Sequence, residues 1–523
     1  MAIDLGTSGA KVGLVSTEGK VVCAEFEAVP LILVGQDGAE QSPNLWWQSI
    51  STAVRRMLYH CPVPKNDIVA ICTSSMGEET VPVDRAGNPL MNALNWMDQR
   101  GAPDIRKQVR GRVNVMGYGI TKLWHWLRIS GGAPSLSGKD PAGHITHIRR
   151  KYPDVYDRTY KFLNSLDYIN LRLTGELVAS YDSIITCWVT DNRDPGNVRY
   201  SRRLLAQLDI PREKLPNLVP ATQVIGALRG EVAQAWGLNP AVKVVAGSID
   251  TFAATIGASA VRDFDPSLYI GTSSYITCHV PFKKCDLFNS MASFPAAVPG
   301  KYCLLNNQTT AGGNLGFIGD KLIKGKTELI QEEGVENIYQ VFDQISARVP
   351  AGARGICFCP WTFGERSPME DQTVRGGFFN LSLNHTHEDL IRAVFEGVAF
   401  NSRWLLQGVE RFMGKTFAAI RFSGGGANSD VWSQIYADIL NRAIWQVDEP
   451  LLVNTRGAAF IGAVGIGELS FRDIPDLVKI KQVYEPNPQH RALYDERFAV
   501  FQNFYHKTKG LYKRLNGTPY VDS

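Results

Sequence analysis

An α/β chain of two similar domains about a shared cleft is the fold class this sequence predicts, and three observations predict it. A hairpin pattern occurs twice, as AIDLGTSGAK at residues 2–11 and SLYIGTSSYITCHV at 267–280: an apolar strand, a Gly-Thr-Ser turn, then a second apolar strand. Gly6 and Gly271 stand 265 positions apart, about half of the 523 residues. Strand-helix units follow the opening copy and recur in the second half, the order that builds a sheet with helices on both faces. A chain this long, 44% hydrophobic, exceeds what one core covers and can fill two.

The elements follow in order. After the first hairpin, VVCAEFEAVP continues an antiparallel meander. EQSPNLWWQSISTAVRRML reads as a helix with Ser42 as N-cap, Pro43 at the first helical position and apolar residues at helical spacing. DIVAICTSS is a buried-strand pattern, and NPAVKVVAGSIDTFAATIGAS is a strand, a turn and a small-residue helix. The second half carries a long amphipathic helix from His387, with a stripe of Ile391, Val394, Phe395 and Val398. The strand FAAIRFSGGG, a helix from about Ser429 and the small-residue helix TRGAAFIGAVGIGEL come next. GASAVRDFDPS, where polar residues and proline gather near 257–265, marks the domain break. The expected division is 1–258, 259–470 and a helical tail over 471–523, with YDERFAVFQNFYHKTKGLYKRL as its amphipathic helix.

Composition excludes several classes. Lysine and arginine total 55 against 51 aspartate and glutamate, and no basic run tracks a phosphate backbone, so nucleic acid is not an expected partner. No apolar stretch approaches the ~20 residues of a membrane span. The start lacks a basic region followed by a long apolar one, and Asp4 would interrupt a signal peptide, so a cytoplasmic protein is expected. The nine cysteines are scattered; Cys357 and Cys359 alternate as in a strand, with no second pair at zinc-site spacing. They read as buried small hydrophobes in a reducing compartment.

Two phosphate-loop look-alikes fail on spacing. GVERFMGKT and GDKLIKGKT each put five residues between the glycines where G-x-x-x-x-G-K-[ST] has four, which breaks the ring of N–H donors. Gly414 is better explained as a helix C-cap. The paired Gly-Thr-Ser turns differ: their glycines admit close approach, and Thr7, Ser8, Thr272 and Ser273 add hydroxyl donors for phosphate oxygens. Singly each is an ordinary turn; facing each other across a cleft, two can grip a polyphosphate. Asp4 at the first turn suits Mg²⁺, directly or through water, or caps the turn. Asp250, at a strand end before a helix, offers the carboxylate that phosphoryl transfer to a hydroxyl needs, or a helix cap. Gly424–Gly426 between strand and helix can lie flat against an adenine ring, or serve as a flexible connection.

With these residues in place the chain resembles the FGGY family of carbohydrate kinases, its xylulokinase-like branch above all, within the actin-like (ribonuclease H-like) ATPase superfamily. AIDLGTSGAK, EQSPNLWWQS, NWMDQR, LDYINLRLTGE, AGSIDTFAATIGA, YIGTSS, FGERSPMEDQTVRGGFFNLS, FSGGGANSDVWSQIYADILN and RGAAFIGAVGIG match family segments in the family's order over nearly the whole chain. The resemblance implies two actin-like domains flanking a deep cleft, ATP mainly on the C-terminal half and sugar on the N-terminal half. It implies Asp250 as the base taking the proton of the sugar hydroxyl, with Asp4 and Asp250 near Mg²⁺. Thr7, Ser8, Lys11, Gly271, Thr272 and Ser273 would contact phosphates, and Gly425, Gly426, Ala427 and Asn428 the adenosine. Glu78, Asp98, Arg100 and Asp250 would meet the sugar; for the first three a solvated surface charge is the alternative.

The departures matter as much. Gly77-Glu78 stands where xylulokinases usually have Met-His, and Gly119 and Asn380 depart from the two family signatures. An insertion, SGGAPSLSGKDPAGH, enters the sugar-binding half. The opening strand MAID is short, which implies a start a few residues upstream. The expected activity is ATP- and Mg²⁺-dependent phosphorylation of a hydroxyl of a small sugar, foremost a ketopentose such as xylulose or ribulose. Kinases of another polyol or sugar acid (glycerol- or gluconate-like) are alternatives, as is a nucleotide-driven switch on the same fold; a homodimer is one assembly open to it.

Overall fold

The computed structural model describes residues 1–323 and 337–517. The last four residues of GDKLIKGKT and the final six of the chain lie outside the described residues.

Two sheets carry the architecture. The first is built from β1 (Ala2–Gly6), β2 (Gly9–Val15), β3 (Val21–Ala28), β4 (Ala70–Ser75), β5 (Val224–Ala227) and β6 (Lys243–Ile249), in the order β5-β6-β4-β1-β2-β3. The second contains β7 (Ser267–Ile270), β8 (Ser274–Thr277), β9 (Ala419–Ser423), β10 (Ala443–Val447) and β11 (Ile480–Tyr484), in the order β8-β7-β9-β10-β11. Their topologies repeat. In each an antiparallel hairpin (β1-β2, β7-β8) leads into three parallel strands (β1-β4-β6, β7-β9-β10), closed by one antiparallel edge strand (β5, β11). The duplicated turn in the sequence marks a duplicated sheet.

The helices form where caps and stripes direct them. In α1 (Pro43–His60), Trp46, Ile50, Ala53, Val54 and Met57 recur at helical spacing and bury in one core with Ile3, Leu5 and Val12 of the sheet. Four further helices matter to the site: α2 (Pro141–Lys151), α3 (Asp250–Gly257), α4 (His387–Met413) and α5 (Asp430–Leu440). At the start of α4, Asp389 accepts the Thr386 N–H at 3.0 Å, and Gly414 at φ +65° ends the helix, so GVERFMGKT is a helix terminus.

Two helices join the halves. α3 follows β6, and α6 (Val453–Gly465) follows β10. They cross backbone to backbone: a Cβ on Gly257 would lie 1.8 Å from the Val453 carbonyl oxygen, and one on Gly457 1.8 Å from that of Ala253. The contact is reciprocal, each helix offering its glycine to the carbonyl four residues before the other's.

Two expectations are corrected. The span 471–523 is not simply a helical tail, since Ile480–Tyr484 pairs with β10 as the outer strand of the second sheet. Beyond it, α7 (Arg491–Asn516) buries Tyr494, Phe498, Phe501 and Tyr505 in the same core as Phe400 and Trp404. The cysteines are not all isolated thiols either. Cys23 of β3 and Cys61, just past α1, form a disulfide with Cα atoms 6.1 Å apart. Their separation of 38 positions matches no motif; α1 lying along β3 brings them together. Disulfides persist where conditions oxidise, so cysteine usage gives the cytoplasmic expectation no support.

Candidate active site

Asp4, Ser74 and Asp250 come from three adjacent parallel strands. Asp4 pairs with Ser74, and Ser75 with Ile249, so their carboxyl ends collect on one edge, where open α/β sheets present ligands. β6 slips register between Val245 and Ser248 to reach that edge. Gly247 sits in the slip at φ +79°, with a would-be Cβ 1.9 Å from the Thr73 carbonyl oxygen, and only glycine fits. Buried Asp182 fixes the strand end by accepting the Ile249 N–H at 3.1 Å and the Ser248 hydroxyl.

Asp250 then opens α3. Its Oδ1 accepts the Thr251 N–H at 2.6 Å and the Thr251 hydroxyl at 3.1 Å. Its Oδ2 has no hydrogen-bond donor among the described residues, so the carboxylate holds a local turn with one oxygen and keeps the other open. Burial, followed by the charge of Asp4, pushes its pKa up to about 7. Asp4 is buried, accepts the Ser74 hydroxyl at 3.2 Å, and is likewise raised by burial against the opposing pull of Lys11. Two carboxylates that repel each other on an enclosed edge suit a divalent cation that keeps waters and needs few carboxylates. Among the described residues no group of three or more metal-binding side chains competes for that part.

The second hairpin lies against the same edge. Tyr269 occupies the place in its copy that Asp4 has in the first, stacks on Tyr275 with ring centroids 4.9 Å apart, and feels the charges of both Asp4 and Asp250. Its turn is tied down by carbonyls: Gly271 O accepts the Gly312 N–H at 3.0 Å, and Thr272 O accepts those of Ala311 and Gly313. The Thr272 side chain is left exposed. In the first turn Thr7 is held at its hydroxyl by Trp96 Nε1 (2.9 Å) and at its carbonyl by Gln41 (2.8 Å), while Ser8 is exposed. The glycine turn sits beside the second hairpin, with Gly424 and Gly426 packed on Ile270. Gly425 and Asn428 are exposed there, and buried Ala427 has its carbonyl fixed by Gln446 at 2.7 Å. Lys11 reaches across to the Leu451 carbonyl at 2.9 Å, and Asn454 of α6 donates to the Asp250 carbonyl at 3.5 Å.

Glu78 follows β4 at φ +74° and raises Asp250 through its charge. Glu79, 1% exposed, accepts the Ser165 hydroxyl at 3.1 Å and leaves its other oxygen without a partner; burial holds its pKa well above the carboxylate range. Asp98 and Arg100 bond to each other and to neighbouring loops. Asp98 is 0% exposed and spends its oxygens on the N–H groups of Ala39 and Arg100 and on Arg100 Nε, while Arg100 also pairs with Glu40 at 2.7 Å. That is bracing of one loop on another. Residues not singled out one by one join the cluster: Glu79, Arg366, Tyr269 and Asn454. Glu79 stands next to Glu78, and Tyr269 and Arg366 lie inside segments whose patterns mark them.

Comparison with protein-family models decides the kinship. The N-terminal domain model of the FGGY family of carbohydrate kinases matches residues 1–257, and the C-terminal domain model residues 267–466. The chain belongs to the FGGY family of carbohydrate kinases. It is 26% identical to a xylulose kinase of Staphylococcus epidermidis and 26% identical to a gluconokinase of Bacillus subtilis, each alignment covering 98% of this chain and 97% of the relative. Among solved structures, a ligand-bound xylulose kinase from Lactobacillus acidophilus superposes with a TM-score of 0.83 over 98% of this chain and 100% of that one; at 24% identity this speaks to the fold. This FGGY kinase therefore has the actin-like architecture expected of it and is a phosphotransferase acting on carbohydrate. Relatives named for a ketose and for a sugar acid stand at equal identity, so kinship leaves the acceptor open between them. Among the described residues no helix is long and apolar enough to cross a membrane.

Proposed function

We propose that the protein transfers the γ-phosphoryl group of ATP to a hydroxyl of a small polyhydroxy substrate, with Mg²⁺, in a cleft between a sugar-binding half (residues 1–258) and a nucleotide-binding half (from 259 onward). One observation carries this reading: both Gly-Thr-Ser hairpins, the glycine turn and the open oxygen of Asp250 meet on one edge. The substrate hydroxyl gives its proton to Asp250 Oδ2 as its oxygen bonds to the γ-phosphorus, and the bond to the departing ADP breaks. Turn N–H groups, Thr272 and Ser8 hydroxyls and Lys11 hold the phosphates in line, while the glycine turn takes the nucleoside. A cation between Asp4 and Asp250 would neutralise phosphate charge. Such a loose transition state needs positioning and charge more than covalent help. Release of one ADP per acceptor molecule in a coupled assay is the expected result; ADP release at the same rate with and without any sugar or polyol would refute the kinase reading for a nucleotide switch.

A base works deprotonated, so activity should be present above the pKa of Asp250 and lost as pH falls through it. With that pKa at about 7, kcat/KM at low Mg²⁺ should fall about tenfold per pH unit below 7. Raising Mg²⁺ should move this limb to lower pH, because a cation favours the ionised form. A profile flat from pH 5 to 8 at low Mg²⁺ would remove Asp250 from the role.

A further inference from the structure

We propose that the disulfide between Cys23 and Cys61 is a thiol-exchange site, and that its reduction by a dithiol loosens the first Gly-Thr-Ser hairpin and weakens nucleotide binding. The inference rests on the kinase reading above for what that hairpin holds, and adds a redox control to it.

The bond is reachable. β3 is the outer strand of the first sheet, and Cys61 directly follows the last residue of α1. Both cysteines are half-buried, and their neighbours Val22, Ala24, His60 and Pro62 are exposed. Of the other seven cysteines, all free thiols, six are buried and Cys285 is half-buried. A thiolate arriving from solvent therefore meets a single disulfide, at an uncovered sheet edge.

The strand does not depend on the bond alone. Arg56 of α1 donates to Glu25 (2.6 Å), to Glu27 (2.8 Å) and to the Phe26 carbonyl (2.6 Å), and Ser49 donates to the Ala28 carbonyl at 3.3 Å. Opening the disulfide therefore leaves β3 docked on α1. Partly exposed ion pairs, each weak in water, then replace a covalent link, so the two states exchange without unfolding.

What the link braces is the first turn. In the register of β2 with β3, Leu14 faces Cys23 and Gly9 faces Ala28, so the strand runs from the disulfide to the back of the turn. There the Val29 N–H donates to the Ser8 carbonyl at 3.0 Å, and a Cβ on Gly9 would lie 2.4 Å from the Glu27 carbonyl oxygen. The loop that the disulfide closes also carries Gln41, 0% exposed, whose amide holds the Thr7 carbonyl. The backbone supports of Thr7 and Ser8 thus both come from inside the covalent loop. Cross-linking a loop depopulates its locally open forms, and reduction restores them. In the exchange a thiolate of the dithiol bonds to one sulfur of the pair, and the other sulfur leaves as a thiolate and takes a proton. The second thiol of the reductant then displaces the cysteine still held. Two electrons have passed: Cys23 and Cys61 end as thiols, and the reductant ends as its own disulfide.

Thiol counting and nucleotide binding make the test. Full-length protein purified in air, denatured and alkylated without reductant, should show seven modified cysteines by mass, and nine after dithiothreitol. Native protein treated with dithiothreitol should stay folded and melt about 5 °C lower. By calorimetry it should bind a non-hydrolysable ATP analogue with Mg²⁺ at least about threefold more weakly, the scale of one lost hydrogen bond. Removing the reductant and adding oxidised dithiothreitol should restore both values. The double variant Cys23→Ser, Cys61→Ser should match the reduced protein with or without dithiothreitol. Nine modified cysteines before reduction, a reduced protein that unfolds, or a smaller change in affinity overturns the redox control and keeps the kinase. A response to dithiothreitol that persists in the double variant overturns the assignment to this pair. Absence of analogue binding by the oxidised protein overturns the kinase reading, and the control with it.

Discussion

Asp250→Asn is expected to lower kcat by a factor of about 10² to 10⁴, the usual range for a lost general base, while the dissociation constant for ATP stays within about twofold. The substitution keeps size and shape, and the amide oxygen can still accept from Thr251 as Oδ1 does now at 2.6 Å and 3.1 Å. What it removes is the open, proton-accepting oxygen. Stability separates a chemical effect from a folding one. An acid whose pKa is raised in the folded state costs stability as pH rises past its unfolded value, and the cost is complete above the folded value. With Asp250 raised to about 7, that window runs from about 4 to about 7. The variant should therefore unfold at the same temperature as the parent at pH 5 or below it, and no lower than the parent at pH 8. Near-parental turnover would show that another group takes the proton. A lower melting temperature at pH 8 would show that the carboxylate holds the strand end together.

The second large effect is structural. Gly457→Val should destabilise the protein by about 3 kcal/mol or more and cost most of its activity, read as a fall in melting temperature and in ADP release. A Cβ at 457 would lie 1.8 Å from the Ala253 carbonyl oxygen, which belongs to a helix backbone and cannot swing aside as a side chain would. Overpacking a yielding core costs about 1–3 kcal/mol, and this contact yields less. Gly510→Ala is the control: nothing lies within 4 Å of a Cβ there, in the middle of α7. That change should be neutral or stabilising by about 1 kcal/mol. Parental stability in Gly457→Val would mean that the helices part readily at their crossing.

What was legible in the sequence was local. Period-two runs ending in Gly-Thr-Ser mark the hairpins, Ser42-Pro43 starts α1, Gly414 stops α4, and Asp250 sits at a strand end before a helix. Each is fixed by neighbours within a few residues. What was not legible depends on which distant segments meet. Ile480–Tyr484 has one buried side chain, Tyr484, and becomes a strand by docking on β10. Asp98 looks like a free carboxylate until Ala39, 59 positions earlier, takes one of its oxygens. Cys23 and Cys61 match no motif, and α1 lying along β3 brings them together. The stretch SGGAPSLSGKDPAGH announces an insertion; its glycines and prolines do not announce that it packs as a wall.

Tyr269 in the place of Asp4 has a consequence for charge. The two hairpins share a backbone and differ in the side chain two residues before the turn glycine, an acid in one and a phenol in the other. The acid draws positive charge to the first hairpin, while the phenol stacks on Tyr275 in the second, so a repeated backbone carries unequal charge.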